Sequence, residues 1–267
     1  MTRLTLKSAP SARLSLDGIT PDRLAGLKEA EIAKLELPLG NQTAPLGDWF
    51  SVADVGTEGL LLDAVGNRLD RIGGGMKSGT IVVEGNAGAY LGCRMSGGSI
   101  HVAGSAGYGV ACAMSGGTIE ISRDVGDFAG SAEPGERYGM SGGTLLIGGD
   151  AGERLGDRMK GGLIVVEGQA GGGAAARMVA GTLIIAGKLG RDFGVAMHRG
   201  SVVALGGIAE LPICFGDSGP QDLVVFRLWA AELRRLGMAE IADRLTALDR
   251  WVGDQAVSGK GELLLPS

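Results

Sequence analysis

Met76-Lys77-Ser78-Gly79-Thr80-Ile81-Val82-Val83-Glu84-Gly85-Asn86-Ala87-Gly88 returns, with substitutions, as Met159-Lys160-Gly161-Gly162-Leu163-Ile164-Val165-Val166-Glu167-Gly168-Gln169-Ala170-Gly171. The methionine that opens the phrase stands at Met76, Met95, Met114, Met140, Met159, Met178 and Met197, at intervals of 19, 19, 26, 19, 19 and 19 residues. Of the nine methionines in the chain, only Met1 and Met238 lie off this ladder. A fixed period of about 20 residues is the mark of a solenoid, in which each repeat buries its apolar face against its neighbours.

Counting each coil from its methionine as zero, positions +5 and +7 are apolar throughout: Ile81/Val83, Ile100/Val102, Ile119/Ile121, Leu145/Ile147, Ile164/Val166, Leu183/Ile185 and Val202/Ala204. A spacing of two puts both side chains on one face of a strand, which must point inward. Position +11 is small or apolar (Ala87, Ala106, Val125, Ala151, Ala170, Leu189), and so is +15 (Leu91, Val110, Ala129, Leu155, Ala174, Phe193). Three inward stripes separated by glycine corners describe a coil with short walls. Such coils pair as parallel strands roughly 4.8 Å apart. The methionines fill an inner corner, where an unbranched thioether adapts to irregular gaps. The expected fold is therefore all-β dominated: a right-handed parallel β-helix of 19-residue coils, about seven to eight turns.

The repeat loses phase at both ends. Residues 1–54 are expected to form an N-terminal cap or arm, 55–210 the β-helix, and 211–267 a C-terminal helical extension and tail. Within the cap, Arg13-Leu14-Ser15-Leu16 reads as a strand and Pro21 to Glu31 as a helix; residues 58–75 read as a degenerate first coil. Apolar residues recur at helical spacing over 221–252, with a break or bend at Gly237, and predict a helical hairpin against the solenoid. The long interval after Met114 places seven extra residues around Ala132-Glu133-Pro134-Gly135-Glu136-Arg137-Tyr138. They form a surface excursion at a coil corner, either a tolerated insertion or a contact loop for a partner.

Position +6 lies between two inward residues and must face out. It holds Val82, His101 and Glu120 in the first three coils, and Leu146, Val165, Ile184 and Val203 in the next four. The last four make a continuous outward apolar stripe and are the candidate interface, because large apolar patches are seldom left bare. Two coverings are open: the chain's own C-terminal helices, with Leu228, Trp229 and Leu233 as candidates, or another subunit.

Composition narrows the function classes. The 267 residues carry a net charge of −5, which argues against a nucleic-acid partner. The chain contains no run of 18 apolar residues, so no membrane span is expected. The start, Met1-Thr2-Arg3-Leu4-Thr5-Leu6-Lys7, lacks the apolar core of a signal peptide, and three cysteines suit a reducing compartment; a cytoplasmic protein is expected. Arg outnumbers Lys, 18 to 7, as in GC-rich bacterial genomes.

Chemistry is sparse. Only His101 and His198 are present, at different coil phases, and no Cys-x-x-Cys or His-x-x-x-His occurs, so no metal site is assigned. Gly253 to Gly261 fails as a phosphate loop because Gly261 follows Lys260 where Ser or Thr is required. Cys93 and Cys112 share position +17 and should stack in neighbouring coils, close enough for a disulfide but expected reduced. Thr or Ser at +4 forms a ladder broken by Leu163, read as hydrogen bonding at the strand entrance. No catalytic, cofactor-binding or metal residue is assigned to this chain.

The Met-x-x-Gly-[Thr/Ser]-Ile-x-Val-x-Gly-x-Ala-Gly phrase resembles the GXGXG β-helix of the glutamate synthase C-terminal domain. Within that superfamily the chain resembles the C subunit of formylmethanofuran dehydrogenase. The flanking matches are Gly40-Asn41, Leu46-Gly47-Asp48-Trp49-Phe50, Leu69-x-x-Ile72-Gly73-x-Gly75-Met76, and Gly253-Asp254 followed by Gly259-Lys260-Gly261-Glu262. This resemblance implies a non-catalytic scaffold subunit of a one-carbon complex. In the bacterial formyltransferase/hydrolase version, a formyl group passes from formyl-tetrahydromethanopterin to a methanofuran analogue and is hydrolysed to formate on other subunits. The implied partners are hydrolase, formyltransferase and molybdopterin-subunit-like chains. The Arg-rich composition favours that version over the archaeal molybdenum or tungsten dehydrogenase. A glutamate-synthase-like amidotransferase component is a further alternative.

Overall fold

The computed structural model describes residues 1–56, 58–63, 66–257 and 259–266. Among these, the repeat region builds seven strands at one phase of the coil: β8 (Thr80–Val83), β9 (Ser99–Val102), β10 (Thr118–Ile121), β11 (Ser141–Ile147), β12 (Gly161–Val166), β13 (Thr182–Ile185) and β14 (Arg199–Ala204). In chain order they follow β1 (Thr2–Leu6), β2 (Leu14–Ser15), α1 (Pro21–Leu24), α2 (Glu29–Ile32), β3 (Glu36–Leu39), β4 (Gln42–Pro45), α3 (Leu46–Trp49), β5 (Phe50–Ala53), β6 (Gly59–Asp63) and β7 (Leu69–Asp70). After them come β15 (Gly216–Gln221), α4 (Val224–Arg235), α5 (Ala239–Asp243), β16 (Leu248–Gly253) and β17 (Lys260–Pro266).

The seven repeat strands pair in parallel and without slippage of the +5 and +7 positions: Ile81↔Ile100↔Ile119↔Leu145↔Ile164↔Leu183↔Val202. Every +5 and +7 side chain is buried, as β-branched residues on the inner face of a pleated wall should be. A second parallel ladder runs through +11, from Ala87 through Ala106, Val125, Ala151 and Ala170 to Leu189 and on to Ile208. The +15 residues are buried behind it. The chain is thus strand-dominated, with a large parallel-rich sheet wound coil upon coil and few helices, the arrangement of a β-helix.

The methionine ladder interlocks successive coils. A Cβ built on Gly98 would lie 2.7 Å from the Met76 methyl, and one on Gly117 would lie 2.6 Å from that of Met95. The same contact recurs for Gly143 and Met114, Gly162 and Met140, Gly181 and Met159, and Gly200 and Met178, at 2.7–2.9 Å. Each methyl therefore sits where the next coil's +3 glycine has no side chain. That glycine also has a positive φ, 85 to 110° over these six residues, which a Cβ would oppose. Packing alone accounts for the repeated methionine.

Both ends join the same sheet. Strand β6 pairs in parallel with β8, as the degenerate first coil predicted, although Ala64 and Val65 of that coil lie outside the described residues. Strand β1 adds in parallel to β6, and β5 closes that edge antiparallel to β1. The expected helix from Pro21 to Glu31 is instead two single turns, α1 and α2, divided at Gly26, whose φ is +84°. At the other end β17 pairs in parallel with β14, Gly261 beside Gly200, and β16 and β15 follow antiparallel. A Cβ on Gly261 would meet the Met197 sulfur at 2.8 Å, so the tail supplies the receiving glycine for the last methionine. The helical reading of residues 248–252 is corrected: they form β16, because β17 offers six paired positions from Leu248 to Gly253. The break at Gly237 is present, at φ +82°.

Candidate functional site

The outward +6 position divides the main wall. Val82 is half-buried, while His101 and Glu120 are exposed and pair at 3.0 Å, Nδ1 to Oε2. Leu146, Val165, Ile184 and Val203 continue the same row and are 5%, 0%, 0% and 0% exposed. Their cover is the chain's own: Phe226, Ala230 and Leu233 of α4, Ile241 and Ala242 of α5, and Leu245 and Leu248 beyond it. Spacings of four and three residues along α4 place its apolar side on the stripe. Leu264 of β17, beside Val203, extends the row by one more coil. The candidate interface on these four residues is corrected accordingly: they seat an intramolecular helix pair, and no surface of theirs is left for a partner. Of the expected covering residues, Leu233 is buried and Trp229 packs at the edge, whereas Leu228 is 63% exposed. Burying each large aliphatic side chain here contributes roughly 1.5–3 kcal/mol.

One corner of the coil carries a series of arginines and their partners. Arginines occupy left-handed backbone positions there: Arg71, Arg94, Arg154, Arg158 and Arg177 have φ of 55 to 59°. The inserted loop after Ala132 folds back on this corner. Glu133 is 9% exposed and accepts from Arg71 Nη2 at 2.8 Å, with Arg94 Nη1 at 3.4 Å. Burial works against its charge, but the hydrogen bond from Arg71 and the charges of Arg94 and Arg71 outweigh it and hold the carboxyl below its ordinary value. The Arg71 guanidinium also lies 4.9 Å from the centre of the Tyr90 ring, and Tyr90, Tyr108 and Phe128 stack onward from coil to coil.

Cys93 and Cys112 stack beneath this corner as free, buried thiols. Burial pushes Cys93 up to about 12 and Cys112 up to about 11, with Glu133 adding to both. The Cys112 sulfur lies 3.2 Å from Ser131 Oγ at the same phase of the next coil. Thiols held protonated in this way are poor nucleophiles. Among the described residues, no group of three or more His, Cys, Asp or Glu side chains is placed to hold a metal ion.

Beside the inserted loop lies an open groove of about 560 Å³, lined by Arg137, Tyr138, Arg158, Arg177, Val179, His198 and Arg199. Asp157 lies behind it, 4% exposed, and holds Arg177 through Nε to Oδ1 at 3.0 Å and Nη2 to Oδ2. Residue order gives little sign of this groove. The only signal is Arg158 and Arg177 at one phase of neighbouring coils, and the loop that walls them in is non-repetitive.

Comparison with known proteins places this architecture. No protein-family model matches the chain. The C subunit of the formyltransferase/hydrolase complex Fhc of Methylorubrum extorquens is 42% identical over 91 residues, 34% of each chain. The crystal structure of the formyltransferase/hydrolase complex (FhcABCD) from Methylorubrum extorquens in complex with methylofuran contains a chain that matches at a TM-score of 0.94 and 41% identity, covering 99% of this chain and 99% of that one. The chain belongs to this C-subunit family. Other relatives in the family include the C subunit of molybdenum-containing formylmethanofuran dehydrogenase 1 from Methanothermobacter marburgensis, 39% identical over 90 residues, 33% of this chain and 22% of that protein. The C subunit of tungsten-containing formylmethanofuran dehydrogenase 2 from the same organism is 35% identical over 93 residues, 33% of this chain and 34% of that protein. In sequence alone the chain thus spans about a third or less of these curated relatives, whereas the structural match is end to end.

Proposed function

We propose that this chain is the non-catalytic scaffold subunit of a formyltransferase/hydrolase complex in one-carbon metabolism. One observation carries the reading: the end-to-end match, at 41% identity, to a chain of the FhcABCD structure. In this reading the complex moves a formyl group from formyl-tetrahydromethanopterin to a methanofuran analogue and releases formate. Those cofactors belong to the hydrolase, formyltransferase and molybdopterin-subunit-like partners. This chain supplies the rigid stack on which they assemble. Its buried carboxylates are engaged in structure: Glu133 with two arginines, Asp157 with Arg177, and Asp254 with the backbone N–H groups of Ala196 and Ala256. We further assign a right-handed winding of about seven to eight turns, a working division into a cap (1–54), a solenoid (55–210) and an extension (211–267), and a cytoplasmic location. No helix among the described residues is long and apolar enough to cross a membrane.

A place in an archaeal formylmethanofuran dehydrogenase is the second reading, supported by the 39% identity to the C subunit of one such enzyme. Purification of the native assembly tests both. Formyltransferase and hydrolase chains should co-elute with this protein, and the isolated chain should release no formate from a formylated donor. Formate turnover by the single chain would overturn the scaffold role, and co-elution of a molybdenum or tungsten subunit with redox activity would favour the second reading.

A further inference from the structure

The groove beside the inserted loop concentrates positive charge in a chain whose net charge is −5. Arg137, Arg158, Arg177 and Arg199 line it, and no carboxylate side chain does. At the rim, Lys160 Nζ and the Arg137 guanidinium lie 4.8 and 5.0 Å from the centre of the Tyr138 ring.

Two contacts hold this surface in place. Arg177 is anchored from behind by Asp157, and Arg158 Nη1 reaches the Glu136 carbonyl at 3.4 Å, tying the loop to the wall. An anchored guanidinium keeps further N–H groups to offer outward, since it has five.

The backbone indicates what kind of anion fits. The N–H groups of Gly139, Arg158, Arg177, Val179 and His198 donate to Arg158, Ala176, Val195, Met159 and Met178 carbonyls, all within the coil ladder. They form no nest of free N–H groups for a compact phosphate. Recognition rests on guanidinium forks, two of them at one phase of neighbouring coils whose backbones step by roughly 4.8 Å, with Tyr138 and Val179 also in the lining. That pattern suits separate carboxylates carried on an extended chain.

We infer that this groove docks an acidic peptide segment of a partner subunit. The inference rests on the reading of the chain as a member of a complex, and two measurements separate the two claims. In the first, the full chain is titrated into a fluorescent hexa-aspartate peptide and anisotropy is followed. Arg158→Gln with Arg199→Gln leaves the Arg177–Asp157 pair in place; Arg137→Gln on the exposed loop is an independent second variant, and Arg227→Gln on α4 is the control. Each should melt as the parent does. The double variant should weaken peptide binding at least tenfold and flatten its salt dependence, Arg137→Gln should weaken it severalfold, and the control should change nothing. In the second, each form is co-expressed with the other subunits of the complex and washed with increasing salt. The double variant should release them at lower salt than parent or control.

Equal peptide binding by parent and double variant overturns the inference. So does displacement of the peptide by pyrophosphate at or below the concentration of unlabelled hexa-aspartate, which would make this a compact-anion site. Assembly of the double variant with parental salt tolerance also overturns it. A parent chain that co-purifies with no other protein overturns the assembly reading itself, and the partner segment with it, whatever the peptide does.

Discussion

In the first three coils the outward row of the main wall holds Val82, His101 and Glu120, whereas the next four coils place Leu146, Val165, Ile184 and Val203 over the same backbone. The inward residues are equally buried in both stretches. The difference lies in what stands outside: solvent over His101 and Glu120, and the α4–α5 pair over the apolar row. One repeat thus serves two environments by changing a single position per coil, because strand alternation makes the outer side chain independent of the inner two. The coil's core is set by +5 and +7; its neighbours are set by +6.

The largest test of this contrast is Val165→Lys with Ile184→Lys. An unpaired ammonium beneath α4 and α5 should cost roughly 4 kcal/mol or more, seen as a large fall in the unfolding midpoint or as loss of the folded chain. The control is Glu120→Lys, the same wall position on the open stretch, which should melt close to the parent. Parental melting of the double variant would mean that the helices do not sit on the stripe in solution.

A smaller effect probes the loop that joins the two stretches. Glu133 lies in the long third coil and reaches back to Arg71 and Arg94 at the open end. Glu133→Gln should lower stability at pH 7 by about 1–2 kcal/mol, since one of its partners is half exposed. Its pH signature follows from its depressed titration. The unfolded chain takes up protons near the ordinary value of about 4.3 and the folded chain only below it. The contribution is therefore complete above that value and lost as pH falls through the folded one. Asp254 behaves likewise: burial opposes its charge, and N–H groups of Ala256 and Ala196 overcome that. Acid melting curves should be flatter for Glu133→Gln than for the parent between about pH 5 and 3; parallel curves would mean the pair is absent in solution.

The smallest effect belongs to the exposed pair. His101→Ala should change stability by no more than about 0.5 kcal/mol, because a solvent-screened ion pair contributes little. A loss several times larger, read by chemical denaturation, would show that the open wall is covered too.

Much of this contrast was legible from residue order. The 19-residue spacing placed every inward side chain, and the apolar run from Leu146 to Val203 announced that something covers it. Periodicity left the identity of the cover open, since helix and partner protein present the same demand. Residues 248–252 misled because Leu248, Trp251 and Val252 fit helical spacing as well as a strand, and only the paired β17 decides. The basic groove left only a faint periodic trace, Arg158 and Arg177 at one phase of neighbouring coils. It exists because a non-repetitive loop folds across arginines that share a phase with Ala113 and Ala196 in other coils.

The interlock between methionine and glycine gives the stack a polarity. Each coil presents a knob toward the C-terminal side and a hole toward the N-terminal side, so in principle copies could thread head to tail without limit. Both free positions are plugged from within. Pro21 of α1 sits where a Cβ on Gly79 would come within 2.6 Å of it, occupying the first hole, and Gly261 of β17 receives Met197, the last knob. Filament growth through this interlock is thereby terminated by the chain itself, and the stack length is set by one polypeptide. Removing β17 should convert a discrete protein into a sticky-ended one that lengthens with concentration.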